Sequence, residues 1–338
     1  MDLEPTDVQL ALQGELRRFL DGRVTPEHRR AIAAMPGAVD RDLWRGLGGM
    51  GTFALTVPEA AGGVGLGLAD ATLVFEELGR ALVPGPLIGT FLAAGLAAEG
   101  VVDAGAAALL DGAATGEAVV GLTPAAAPAF VEHLAALDAL LVVDGGGVAL
   151  TGPPRGGRPV ARPLDPLTPV DVVDELPAGP LLPGGAARAG QLRTAAALLA
   201  AALQVGVAGA AVALATAYAG QRTQFGRVIG SFQALKHLLA DAQVGIEVAR
   251  AAVGAAGVEI DDAVAGEGDP ARAHRAVDGA RIVASRAAGA ATRTCVQVHG
   301  GMGYTWDLDA HLLVKRALVL DVTPGTPEEA AASLAAAL

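Results

Sequence analysis

Apolar side chains recur at helical spacing through the first third of the chain. Leu10, Leu16 and Leu20 lie near helical spacing, and the stretch 68–82 repeats the pattern after a proline- and glycine-rich loop. Side chains three, four and seven residues apart share one face of an α-helix. The pattern therefore predicts helices through about residues 5–110.

The pattern changes in the middle of the chain. Four short apolar runs follow one another between residues 118 and 176, separated by clusters of Gly, Pro and Asp: AVVGL, ALLVV, GVALTG and PVDVVDEL. Short apolar runs between turn residues are typical of β-strands. We therefore expect a small, β-rich middle region.

Long helical patterns return in the second half. Two long helices are predicted at about 190–219 and 231–265 and a third at about 270–298, followed by a glycine-rich segment, a helix through 310–320 and a terminal helix. Long helices with short links favour an antiparallel four-helix bundle.

The predicted fold is therefore mainly α, in three parts. These are an N-terminal helical domain (1–117), a reduced β-rich middle domain (118–187) and a C-terminal four-helix bundle (188–338). Composition agrees, because 52% of the residues are hydrophobic and only 3% are aromatic. A core built from Ala, Leu and Val favours helices, whereas aromatic residues favour strands.

Several features bear on the compartment. The most apolar stretch, 194–220, contains Gln204 and glycines, which favours a buried helix over a membrane span. The acidic, amphipathic start does not resemble a signal peptide, and the single cysteine, Cys295, cannot form an intrachain disulfide. We therefore expect a cytoplasmic protein with no membrane partner.

Charge is unevenly distributed along the chain. The net charge of −12 argues against a nucleic-acid partner. Residues 1–190 hold 12 basic and 23 acidic side chains, whereas residues 191–338 hold 12 and 13. Cationic contacts to a polyanionic small molecule are therefore expected from the C-terminal half.

The segment GQRTQFGRVIGSFQALKHLLAD (220–241) places a polar cluster between two predicted helices. Arg222 is a planar, permanently charged fork that suits a pyrophosphate. Phe225 offers a flat face to an adenine or flavin ring. Gln224 can donate and accept hydrogen bonds, and Gly226 lets the backbone approach a ligand closely.

Two further residues of this first motif, Ile229 and Gln233, are expected along one line of the helix that follows Phe225. The same sequence also fits a plain polar turn between helices. In that alternative, Arg222 forms a salt bridge at the surface.

A second motif, QVHGGMGYTWD (297–307), has three glycines within four positions. Backbone amides without side chains can hold a phosphate or ribose, and Gln297 can hydrogen-bond it. Glycines directly after a helix are also common as a helix C-cap. No strand precedes the motif, so it is not a dinucleotide-binding fingerprint.

With LWRGLGGMGTFALTVPEAAGGVGLGLADATLVFEELGRAL (43–82), the two motifs make the chain resemble the acyl-CoA dehydrogenase family over about residues 5–326. The match is poor over 118–186. In that family FAD lies across a subunit interface, with its isoalloxazine on the β-domain of one subunit and its adenine and pyrophosphate against both motifs of the neighbour. The resemblance implies that eight residues hold this half of a partner's FAD: Arg222, Gln224, Phe225, Ile229, Gln233, Gln297, Gly300 and Gly301.

The family reaction removes the α-proton and the β-hydride of an acyl-CoA, and it needs a carboxylate base beside the flavin. The resemblance places this glutamate at Pro324 in most members and at Ala196 in others, and neither side chain accepts a proton. Asp321 and Glu328 lie near the first position, but both are typical of helix ends. We therefore expect no catalytic residue in this chain.

The family's flavin-ring segments are also missing. The corresponding region offers only GLTPAAAPAF and GGVALTGPP, and no tryptophan lies between Trp44 and Trp306. The chain is therefore not expected to bind a flavin ring on its own sheet. His237 and His311 have no second ligand at metal spacing, so no metal site is expected.

Some bacterial members of the family pair a full-length catalytic subunit with a shorter, degenerate one in an α2β2 tetramer, and this chain resembles the short subunit. The resemblance implies a full-length acyl-CoA dehydrogenase partner, a fatty or steroid side-chain acyl-CoA substrate and an electron-transfer flavoprotein as acceptor. Two alternatives stay open. One is a self-sufficient homo-oligomeric enzyme with a relocated base, and the other is a non-catalytic assembly protein without flavin.

Overall fold

In the computed structural model, which describes residues 5–35, 37–97, 104–323 and 325–337, the chain is mainly α-helical. The helices are α1 (Asp7–Arg23), α2 (Pro26–Ala33), α3 (Arg41–Gly49), α4 (Leu68–Arg80), α5 (Leu87–Ala97), α6 (Ala104–Thr115), α7 (Gly185–Gln221), α8 (Gln233–Ala265), α9 (Pro270–His299), α10 (Ala310–Asp321) and α11 (Pro327–Ala336). The strands are β1 (Val120–Pro124), β2 (Ala129–Glu132), β3 (Ala139–Val143), β4 (Val148–Thr151), β5 (Arg158–Pro159), β6 (Val170–Val173), β7 (Thr223–Gln224) and β8 (Arg227–Val228).

Local sequence explains where several helices begin and end. The Thr6 hydroxyl accepts the Gln9 backbone N–H while the Gln9 side chain accepts the Thr6 N–H, which is a capping box at the start of α1. Gly266 adopts a left-handed conformation and ends α8, and the Asp269 side chain then caps α9. The three long helices predicted at 190–219, 231–265 and 270–298 are confirmed as α7, α8 and α9.

By internal contacts the chain divides into two compact units. One contains Met1–Pro26, Thr72–Val83 and Ala197–Leu338, and the other contains Glu27–Ala71 and Pro84–Ala196. The three-part division at residues 117 and 187 describes the order along the chain and stays a prediction.

In the first unit, α9 packs against α8, α10 and α11, as a helical bundle requires. Two glycines bring α4 and α7 into backbone contact. A Cβ on Gly79 would lie 2.1 Å from the Leu203 carbonyl oxygen, and a Cβ on Gly206 would lie 1.9 Å from that of Glu76. Small residues at a helix crossing therefore let this largely aliphatic core close without large side chains.

The second unit contains two three-stranded sheets, in the orders β1-β3-β4 and β2-β6-β5. β1 runs parallel to β3, and the other pairs are antiparallel. The four predicted runs are confirmed as β1, β3, β4 and β6, whereas β2 and β5 were not predicted. Helix α5 packs on β1, where the Thr90 hydroxyl donates to the Val120 carbonyl and accepts the Val120 N–H.

Helix α7 is long and apolar enough to cross a membrane by length and composition, and it is the one such helix in the part of the chain that the structure describes. Within the protein, 78% of its most apolar 18-residue stretch is buried. This burial agrees with the prediction of a core helix.

Candidate functional site

A two-stranded hairpin connects α7 to α8. Thr223 and Gln224 pair with Val228 and Arg227, so that Phe225 and Gly226 form a two-residue loop. Both loop residues are left-handed, with φ of 53° and 76°. This is the geometry of a type I′ turn, whose twist matches that of the flanking strands.

The backbone of Phe225 is conformationally strained in this turn. A left-handed backbone is strained for a residue that is not Gly, Asn or Asp. Its ring is also 91% exposed, with only an edge-to-face contact to Phe232 at 6.2 Å between centroids. A strained, exposed aromatic ring contributes little to the stability of the fold and is accessible to a ligand.

The polar side chains of the hairpin are exposed. Among the described residues, the Arg222 guanidinium makes no ion pair or hydrogen bond, so the alternative of an intrachain salt bridge is wrong. The Gln224 side chain has no such contact within the described ranges either, and both residues are exposed. Arg227 instead lies over the Phe232 ring, with its guanidinium carbon 4.0 Å from the ring centroid.

The expected helical line from Phe225 through Ile229 to Gln233 is wrong. Ile229 lies in a 3₁₀ turn, Ile229–Ser231, and α8 begins only at Gln233. The Ile229 N–H donates to the Arg222 carbonyl at 2.8 Å. The chain therefore closes the hairpin before the helix starts, and Gln233 lies exposed at the helix N-terminus.

The second motif forms a glycine turn at the end of α9. Gly300 caps the helix with φ of 60° and ψ of −138°, and its N–H donates to the Gln297 and Val296 carbonyls. The C-cap interpretation therefore holds for Gly300. A Cβ on Gly300 or Gly301 would meet open space, and both residues are exposed, as is Gln297. The turn thus offers accessible backbone.

The structure brings the two motifs together. The rings of Tyr218, on the last turn of α7, and His299, the last residue of α9, stack with centroids 4.4 Å apart. The Tyr218 hydroxyl also lies 3.9 Å from the Met302 sulfur in the glycine turn. Tyr218 was missed at the sequence level, although its position four residues before Arg222, near the end of the predicted helix, was a usable signal. We call the hairpin Arg222–Val228 and the turn Gly300–Tyr304 the two arms of the clasp.

The residues considered for the catalytic base do not form an acid site. Ala196 is a buried aliphatic residue on α7. Pro324 lies outside the described residues. Glu328 is exposed in the first turn of α11, where acidic side chains favour the helix dipole.

Asp321 belongs to a buried polar network around Arg281. The Arg281 guanidinium is fully buried and donates to the side-chain oxygen of Gln204 and to the carbonyls of Leu320 and Gly325. The Gln204 amide in turn donates to Asp321 at 2.7 Å. Burial lowers the pKa of Arg281 to about 10, and Asp321 is among the carboxylates that act in the opposite direction. Asp321 thus compensates a buried cation.

The middle β-region carries no tryptophan. Trp44 is buried on α3 against Phe53, and Trp306 follows the glycine turn with its ring against His311. Cys295 is a free, buried cysteine on α9. In the described ranges no group of three or more His, Cys, Asp or Glu side chains could hold a metal ion.

The clasp fits the adenosine and pyrophosphate half of FAD. It combines an exposed guanidinium that no described residue neutralises, an exposed ring, two exposed amide side chains and glycines open to approach. A guanidinium forms two parallel hydrogen bonds to a phosphate, and glycine backbone amides hold anionic oxygens.

Comparisons with known families agree with this fold. Residues 6–115 match the model of the acyl-CoA dehydrogenase N-terminal domain, and residues 185–338 match that of the C-terminal domain. The acyl-CoA dehydrogenase IpdE2 of Mycolicibacterium smegmatis is 36% identical over 94% of this chain and 94% of its own length.

Two solved structures are similar over nearly their whole length. The Tcur3481-Tcur3483 steroid ACAD G363A variant superposes with a TM-score of 0.84 at 25% identity, covering 98% of this chain and 97% of that one. The ChsE4-ChsE5 complex from Mycobacterium tuberculosis contains a chain with a TM-score of 0.80 at 24% identity, covering 99% and 98%.

Proposed function

The chain belongs to the acyl-CoA dehydrogenase family, and from this premise we propose that it is a non-catalytic subunit that completes the FAD site of a full-length partner. The observation that carries the proposal is a contrast within the chain. The clasp presents unpaired, exposed ligand-binding groups, whereas Ala196 is aliphatic and Asp321 is bound into a buried network.

The clasp residues have separate tasks in this proposal. Arg222 binds the pyrophosphate of a FAD whose ring lies on the partner, and Gln224 and Gln297 hydrogen-bond its polar groups. Phe225 lies against a ring face, and the backbone at Gly300 and Gly301 holds phosphate or ribose oxygens. Ile229, in the 3₁₀ turn, and Gln233, at the start of α8, are the remaining residues proposed to contact this half of FAD.

FAD, when bound, accepts the hydride in the α,β-dehydrogenation of an acyl-CoA. This chain holds the cofactor and supplies no group for the proton. The carboxylate base and the acyl-CoA pocket belong to the partner, and an electron-transfer flavoprotein is the expected acceptor. The proposed location is the cytoplasm.

Relatives support both a substrate class and an assembly. One similar structure is described as a steroid ACAD, and another as a complex of two named proteins. We therefore propose a steroid side-chain or fatty acyl-CoA as the substrate of the complex, and an α2β2 assembly with a full-length subunit.

Counting flavins tests the proposal. The chain is purified alone and after co-expression with a full-length acyl-CoA dehydrogenase subunit, and FAD per protein is measured from absorbance and native mass. We expect almost no FAD in the chain alone and one FAD for each pair of different subunits in the complex. Stoichiometric FAD in the isolated chain would support a self-sufficient enzyme, and a flavin-free complex would support an assembly protein.

A further inference from the structure

One aromatic contact links the two arms of the clasp. The Tyr218 and His299 rings stack at 4.4 Å with an interplanar angle of 28°. The Arg222 N–H donates to the Tyr218 carbonyl at 2.9 Å, and His299 directly precedes Gly300. Each ring is thus attached to the base of one arm, and the ring contact joins the two bases.

The surroundings of His299 hold the ring in one orientation. Its Nδ1 lies 2.8 Å from the Cys295 carbonyl oxygen, so Nδ1 carries the hydrogen and donates. Its Nε2 is buried and has no hydrogen-bond partner in the part of the chain that the structure describes. His299 is therefore a buried aromatic ring that its own helix holds in place.

We propose that the stacked Tyr218–His299 pair is a positioning device for the clasp. It holds Arg222 and the Gly300–Gly301 backbone at the separation that a single adenosine-pyrophosphate ligand requires. Holding a site in its binding geometry before the ligand arrives strengthens binding, because less freedom is lost on association. The inference rests on the proposed function and adds to it the residues that set the geometry of the site.

The first test removes the stack from the α9 side. In the assembled complex, the FAD dissociation constant is measured by flavin fluorescence for His299→Ala and His299→Phe. An aromatic pair contributes about 0.5–1.5 kcal/mol, which corresponds to about 2- to 12-fold in affinity. His299→Ala should weaken binding on this scale, whereas His299→Phe keeps the stack and should stay within about twofold.

Substitution of Tyr218 is a second way to remove the same ring contact. It is only partly buried, so Tyr218→Ala tests the stack even where His299→Ala does not fold. Tyr218→Ala should weaken FAD binding like His299→Ala, and Tyr218→Phe, which keeps the ring, should bind FAD as the unmodified chain does. Unchanged affinity in folded Tyr218→Ala would overturn the proposal.

A double variant separates positioning from general stability. Where Arg222→Ala has removed the pyrophosphate contact, adding His299→Ala or Tyr218→Ala should change FAD affinity by less than about twofold, because one arm no longer binds. If the ring variants lower FAD affinity equally in the presence and absence of Arg222, the two rings have a general structural role, and the proposal is overturned. If Arg222→Ala alone leaves affinity unchanged, the proposed function fails. If it weakens binding while both ring variants bind FAD normally, this inference alone fails.

Discussion

Two regions of the same helical unit differ in whether their polar side chains are exposed or are buried and hydrogen-bonded. At the clasp, the exposed side chains of Arg222 and Gln224 make no ion pair or hydrogen bond among the described residues, and Phe225 is held in a left-handed conformation. On α9, Arg281 is fully buried and hydrogen-bonded to Gln204 and to two backbone carbonyls, one of them at the end of α10.

This difference distinguishes polar groups that are available to a ligand from polar groups that stabilise the fold. Polar groups that hydrogen-bond to one another inside a protein stabilise the fold and leave few donors or acceptors for a ligand. Strained or unpaired groups on the surface persist when they serve another purpose. Asp321 thus belongs to a structural network, whereas the exposed groups of the clasp are the ones that we propose bind FAD.

The largest expected effect is on stability, at Arg281. Arg281→Met leaves Gln204 and two carbonyl oxygens without their donor, and buried unsatisfied acceptors should lower the free energy of unfolding by about 2–4 kcal/mol. Denaturant titration of the full chain measures it. Arg275→Met is the control on the same helix, because the Arg275 pair with Asp269 is long and exposed. An Arg281→Met variant as stable as the control would contradict a structural role.

The next effect is on cofactor binding, at Arg222. Arg222→Ala removes a charge-assisted contact worth about 2–3 kcal/mol, so FAD retention in the complex should weaken about 30- to 150-fold. The melting temperature of the full chain should barely change, because the exposed Arg222 side chain makes no hydrogen bond or ion pair within the described ranges. Arg162→Ala removes an exposed arginine of the middle region and should bind FAD normally. Equal affinity in both variants would remove Arg222 from the site.

A smaller effect tests the strain at Phe225. Phe225→Asn creates an Asn-Gly pair, which suits a type I′ turn, and relief of the left-handed strain should stabilise the chain by about 1 kcal/mol. The same change should weaken FAD retention. Phe130→Asn is the control, because Phe130 is 64% exposed on β2 without a left-handed backbone. A Phe225→Asn variant with lower stability and unchanged FAD binding would contradict a binding role for the ring.

The smallest effects are expected at the two remaining candidates for a base. Asp321→Asn keeps an acceptor for the Gln204 amide, and Glu328→Gln changes an exposed side chain. Flavin reduction by saturating acyl-CoA in the complex should slow by no more than a few-fold in either variant, whereas loss of a general base costs about 10²–10⁴-fold. A collapse of that size, with FAD and assembly intact, would place the base in this chain.

Much of the fold could be predicted because its signals are local. Helical periodicity located α7, α8 and α9 to within a few residues, and short apolar runs located four of the six strands of the two sheets. β2 and β5 were not predicted, because their residues are few or lie near prolines. They become strands only by pairing with β6.

The sequence by itself determined the residue types of the two motifs and the absence of a carboxylate at positions 196 and 324, because these follow from identity alone. Tertiary structure decided which of those residues are free to bind. The Tyr218–His299 stack and the Arg281 network join groups through packing, and the pairing of β7 with β8 holds Phe225 in its left-handed turn. Arg281 meets Gln204 across 77 residues of chain, and no local pattern encodes such a contact, since it exists only once the helices have packed.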